Sequence, residues 1–130
     1  MEDLYFRKLN VYTNSKELVK YIYSLIQKFP PEEKFSLCAQ IRRASTSIPI
    51  NIAEGFGRFS SKEKARFIEI AFGSLTEISC ELELSYELGY ITLEDFDEAE
   101  RQIVIISKQL SNLHKSVTNN FIKTNIQQTI

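Results

Sequence analysis

Residues 40–63 read QIRRASTSIPINIAEGFGRFSSKE. Ile41, Ser45, Ile48, Ile52 and Gly55 recur there at alternate spacings of three and four, with Cys38 in the same register, which is the period of one buried helix face. The stretch therefore predicts a helix, the second of the chain. Pro49 lies inside it, where it deletes the bond to the Ser45 carbonyl at a cost of about 3 kcal/mol unless the site compensates, so a kink is expected. Ser45 and Thr46 bring hydroxyls that the loosened backbone can use.

The same helix carries a second pattern. At about 100° per residue, Ser36, Gln40, Arg43, Ser47, Asn51, Glu54 and Arg58 fall within roughly 80° of one another and form one polar ridge. Small or apolar groups occupy the remaining circumference, among them Ala39, Ala44, Thr46, Ile50, Ala53, Phe56 and Gly57. So narrow a polar stripe argues for burial on more than the intramolecular side. Glu54 precedes Arg58 by four, the favourable order for a helical ion pair, so the ridge also reads as a solvated face carrying an intrahelical salt bridge.

Working outward, Asn14 with Glu17 resembles a capping box that opens helix one, followed by Leu18, Ile22, Leu25 and Phe29 at helical spacing. Phe29-Pro30-Pro31 ends it, while Pro31-Glu32-Glu33 places proline and two acids where the first turn of helix two wants them. Ser60 with Glu63 caps helix three, whose stripe is Ile68, Ala71, Leu75, Ile78 and Leu82, and Gly89 stops it. Thr92 with Asp95 opens helix four, with apolar positions Phe96, Ala99, Ile103, Ile106, Leu110, Leu113 and Val117. Short connections make neighbouring helices antiparallel. The expected fold is all-α, a single up-down-up-down four-helix bundle over residues 1–117, with 118–130 as a frayed or disordered tail.

Helix three has an opposite face as well, made of Arg66, Ile70, Gly73, Glu77, Cys80 and Leu84. Mid-helix glycine costs about 1 kcal/mol against alanine, and close approach of another backbone is a common reason to keep it. Two helices with second faces of this kind point to a homo-oligomer whose interface uses both.

The 130 residues, 43% hydrophobic, suit one domain with its own core. The chain lacks a long apolar run for a membrane span, and Met1-Glu2-Asp3 has the wrong charge for a signal peptide, so a cytoplasmic location is expected. Cys38 and Cys80 have neither CxxC nor Cys/His spacing and read as reduced thiols, Cys38 in the core and Cys80 off the stripe. The net charge of −1 conceals a division: residues 1–66 hold 12 basic against 7 acidic groups, and residues 67–130 hold 4 against 10. This asymmetry reads as basic and acidic helices shielding one another, and it also permits a polyanion face.

No pattern for catalysis emerges. The single histidine, His114, flanks the stripe of helix four, and the residue three before it is Ser111, so the Glu-x-x-His motif of carboxylate-bridged metal bundles is absent. Neither GxGxxG nor GxxxxGK[ST] occurs, and Gly55-Phe56-Gly57 ends a helix. A catalytic residue, a metal, a cofactor and a small-molecule substrate are accordingly not expected.

Gln40-Ile41-Arg42-Arg43-Ala44, Ser47-Ile48-Pro49, Asn51-Ile52-Ala53-Glu54-Gly55 and Arg58 together resemble the signature of the 23S rRNA intervening-sequence protein family, also called "four helix bundle protein". The likeness continues through Phe67, Ile70-Ala71, Gly73-Ser74, Glu77 and Leu88-Gly89-Tyr90-Ile91, and covers about residues 15–115. Val11-Tyr12 departs from it, standing where that family often carries tryptophan. The resemblance implies a small antiparallel bundle assembled as a ring-like homopentamer. It also extends distantly to the accessory variability determinants of diversity-generating retroelements, which bind a reverse transcriptase and nucleic acid through a basic surface. Those relatives are basic, whereas this chain is mildly acidic, and phosphate affinity depends on clustered Lys and Arg.

Two functions follow as expectations. One is a non-enzymatic oligomeric scaffold or adaptor that binds RNA or a protein, with Arg42, Arg43, Arg58, Lys62 and Arg66 as polyanion contacts. The other is a purely structural self-assembling protein with a protein partner only, in which Ser47, Pro49, Asn51, Glu54, Gly55, Arg58, Gly73 and Glu77 serve architecture or the interface.

Overall fold

In a computed structural model, which describes the backbone of residues 4–129 and the side chains of residues 4–119, four α-helices follow a short 3-10 turn at Tyr5–Lys8. They are α1 (Asn10–Ile26), α2 (Leu37–Phe56), α3 (Ser61–Glu87) and α4 (Leu93–Thr129). Each helix packs on its sequence neighbours, α1 closes against α4, and among the described residues the diagonal pairs keep their backbones apart. This is the four-membered antiparallel ring that short connections impose. No strand occurs among the described residues. The expected tail, 118–130, falls mostly on residues whose side chains lie outside the described set.

The core is aliphatic, and the stripes read from spacing line it. Leu18, Ile22, Ile41, Ile48, Ile52, Ile68, Leu75, Ile78, Leu82, Ile106 and Leu110 are all fully buried. Cys38 lies in this core, where burial pushes its thiol up although Arg42 opposes it, while Cys80 is exposed.

Helix ends follow local chemistry with two departures. Helix α1 starts at Asn10 behind Leu9, four residues before the expected cap, because Val11 and Ser15 extend the buried stripe by two turns. Asn14 makes no cap there, and its Nδ2 instead donates to Gln109 Oε1 of α4 at 3.1 Å. Pro31–Glu33 forms a separate 3-10 turn, and α2 begins only at Leu37. The other ends match their sequence signals. Ser60 Oγ accepts from the Glu63 amide at 3.1 Å, although the Glu63 carboxylate turns to Arg66 rather than back to the cap. At the start of α4 the box is reciprocal: Thr92 Oγ1 accepts from the Asp95 amide and Asp95 Oδ2 from the Thr92 amide, each at 3.1 Å. Gly89, at φ +81°, closes α3 with a double bond pattern from Tyr90 N to Ser85 O and Gly89 N to Tyr86 O.

Pro49 sits inside an unbroken α2. Ser45 and Thr46 do turn their hydroxyls onto the backbone, donating to the Arg42 carbonyl at 3.1 and 2.9 Å, one turn before the carbonyl that proline leaves free.

Candidate interaction face

The polar ridge of α2 is not a plain solvated face, because its middle is stitched to α3. Asn51 Nδ2 donates to both the Ser47 carbonyl and Ser47 Oγ at 2.8 Å, and Ser47 Oγ meets Ser74 Oγ of α3 at 2.9 Å. Gly55 continues this close approach: a Cβ at 55 would stand 3.0 Å from Phe67 Cβ, so only glycine lets the end of α2 lie against α3.

The ion pair expected at the end of the ridge does not form. Among the described residues Glu54 has no salt bridge to Arg58, whose guanidinium lies over the Phe67 ring at 4.8 Å. The ring competes because Phe67 is the first large aromatic that α3 presents to the end of α2, and stacking needs no desolvation of a carboxylate.

Glu81 completes the seam on the α3 side, seven residues after Ser74 and so on the same flank of the helix. It is 6% exposed, and its Oε1 has no hydrogen-bond partner. Burial pushes its carboxyl up to about 7, Glu77 one turn earlier adds to the rise, and Arg43 of α2 lowers it. Sequence reading took the adjacent Glu77 and passed over Glu81. The available signal was its place between Ile78 and Leu82, on the Ser74 side of the stripe.

Outside the seam, both helices turn a small and apolar surface away from the core. Ile50 on α2 and Ile70 and Leu84 on α3 are 51%, 39% and 47% exposed. Gly73 lies on the same face of α3, with no atom beyond its own turn of helix within 4 Å of where its Cβ would be, so nothing among the described residues requires a glycine there.

The five expected polyanion contacts separate into two groups. Arg58, Lys62 and Arg66 gather around the α2–α3 turn, where Arg66 also lies over Phe67 at 4.8 Å and pairs with Glu63 at 3.1 Å. Lys64 joins them by donating to the Arg58 carbonyl. Arg42 and Arg43 lie about four turns back along α2.

Elsewhere the polar groups hold the bundle together. His114 is half-buried and meets Glu69 Oε2 at 3.1 Å, tying α4 to α3. A groove of about 530 Å³ between α1 and α4 has its cations already paired, Lys20 to Glu17 and Arg101 to Glu98. Among the described residues no group of three or more His, Cys, Asp or Glu is placed to hold a metal ion, and no helix is long and apolar enough to cross a membrane.

Fold and face together define a class: a small antiparallel four-helix bundle whose second and third helices share a polar seam beneath an open outer surface. Residues 7–112 match the 23S rRNA-intervening sequence protein family, and the chain belongs to that family. A protein of unknown function from the S23 ribosomal protein family of Bacteroides thetaiotaomicron has the same fold, with a TM-score of 0.75 and 30% sequence identity over 81% of this chain and 95% of that one. No curated protein matches the chain.

Proposed function

We propose that the protein is a non-enzymatic, cytoplasmic scaffold or adaptor that assembles with copies of itself, as a ring-like homopentamer, through the outward faces of α2 and α3. One observation carries this reading: the surface around Ile50, Ile70, Gly73 and Leu84 is apolar and small, yet open. A mid-helix glycine with empty space before it is destabilising in a lone chain and useful where another backbone comes close. The basic turn of Arg58, Lys62 and Arg66 would then be repeated around the ring, where several copies raise affinity for an RNA or nucleoprotein beyond that of one.

A second reading keeps the assembly and replaces the nucleic acid with a protein partner. It is favoured by the engagement of Arg58 and Arg66 with Phe67 and Glu63, and by the net charge of −1. Light scattering at micromolar concentration tests the shared part: a multiple of the 15.1 kDa chain mass is expected, and a monomer overturns it. Salt-dependent binding of ribosomal RNA fragments tests the rest. Arg58→Ala with Lys62→Ala should weaken binding and flatten its salt slope by about two charges. Binding that is absent, or indifferent to the substitutions, sinks the RNA arm and leaves the protein-partner reading.

A further inference from the structure

Resting on the RNA arm of the function proposed above, we infer that the basic end of the bundle binds single-stranded RNA in particular, with an unpaired base stacked on Phe59 and the neighbouring phosphates held by the cations around it. Phe59 lies in the connection of residues 57–60 between α2 and α3, and it is fully exposed. It adds nothing to the core. The turn does not need it either, since its ends are fixed by the Gly57 amide bonding the Glu54 carbonyl and by the Ser60 cap. A phenyl ring held in water costs free energy that is recovered when a partner covers it.

The ring stands among cations. Arg58 precedes it, Lys62 follows the cap, and Lys64 donates to the Arg58 carbonyl, so the three belong to one patch. The 3-10 turn extends this patch across the same end: Tyr5 packs on Phe56 of α2 with ring centroids 5.6 Å apart, and Arg7 and Lys8 end that turn. Among the described residues Arg7, Lys8, Arg58, Lys62 and Lys64 form no ion pair. The opposite end of the bundle, where Lys28 meets Asp95 and Tyr90 meets Glu33, has the reverse character. Glu32 and Glu33 lie there with the acidic first turn of α4, and an exposed Phe35 stands near carboxylates instead.

Ring and charge together select the ligand. Cations attract phosphate, and a bare aromatic side chain among them offers a face to one base while the backbone follows the positive surface. A duplex keeps its bases stacked on one another and has none to lay on the ring. An anionic membrane is held by the apolar face of a helix, not by one ring on a turn. Arg58 remains able to bind phosphate, because its plane rests on Phe67 and leaves its N–H edge for an oxyanion.

Fluorescence anisotropy of the full chain with a labelled oligouridylate of about 10 nucleotides, against a strand of equal length and charge whose riboses lack bases, separates stacking from charge. The wild-type protein should prefer the oligouridylate. Phe59→Leu keeps an apolar side chain without a stacking face; it should weaken that binding about tenfold, keep its salt slope and erase the preference over the abasic strand. Arg58→Ala with Lys62→Ala should instead lower the salt slope for both strands, and Phe35→Ala at the acidic end should change neither. Equal binding of the two strands by the wild type, wild-type affinity in Phe59→Leu, or tighter binding of a duplex overturns the inference, while salt-dependent binding of ribosomal RNA fragments leaves the RNA arm standing. If neither the oligouridylate nor those fragments bind, both fall, and an affinity for vesicles of anionic phospholipid that Phe59→Leu removes would then assign the ring to a membrane surface.

Discussion

At the scale of single residues the chain concentrates its irregularities along the α2–α3 seam, and Glu81 is the buried carboxyl among them. Its folded carboxyl holds a proton up to about pH 7, while the unfolded chain releases one near the ordinary value of 4.5. The folded state thus binds more protons between those limits, so stability falls as pH rises from 4.5 through 7 and is level above. The difference amounts to about 3 kcal/mol once the group is ionised in both states. Chemical unfolding of single chains, with assembly blocked by Ile70→Glu, should show this loss, and Glu81→Leu should remove it, giving a protein more stable than its parent at pH 8 but not at pH 4.5. Equal unfolding free energies for the Ile70→Glu parent at pH 4.5 and pH 8 would mean the carboxylate is solvated after all.

At the scale of elements, the two ends of the α3–α4 connection show how far short-range chemistry reaches. Gly89 and the pair Thr92 and Asp95 were legible because a positive-φ stop and a capping box are satisfied within five residues of themselves. Asp95 has a further role: burial pushes its carboxyl up, but the Thr92 bonds and Lys28 of α1, 3.1 Å away, hold it below its usual value. Thr92→Ala should therefore cost about 1 kcal/mol. Asp95→Ala, which also releases Lys28, should cost more, and thermal unfolding followed by circular dichroism would rank the two, roughly 4 °C per kcal/mol for a domain of this size. Equal losses would show that Lys28 contributes nothing. The start of α1 was misread for the complementary reason. Asn14 and Glu17 have capping spacing, but Val11 lies one heptad before Leu18 and its burial carries the helix past them. The candidate site divides in the same way. The ridge of Arg43, Ser47 and Asn51 was visible as a helical period, whereas the pairing of Ser47 with Ser74 crosses 27 residues and depends on how two helices slide past each other. That register is set by tertiary packing, as is the capture of Arg58 by Phe67 in place of Glu54.

At the scale of the whole molecule, two kinds of apolar residue must be told apart, and one comparison separates them. Leu82 is fully buried on α3, whereas Ile70, twelve residues earlier on the same helix, is 39% exposed on the outward surface. Inside one chain Ile70→Glu removes little packing and should change the unfolding free energy by no more than about 0.5 kcal/mol. Leu82→Ala leaves a cavity in the core and should cost about 2–5 kcal/mol. If the outward surface is where copies meet, the order reverses for assembly. Ile70→Glu sets a charge into an apolar contact beside Gly73 and should give a folded monomer by light scattering, while Leu82→Ala, weakened but with its surface intact, should still assemble under conditions where it is folded. A folded Ile70→Glu protein that assembles like wild type would move the interface off this surface. The small residues of α2 and α3 would then be left to meet a protein partner other than a second copy of the chain.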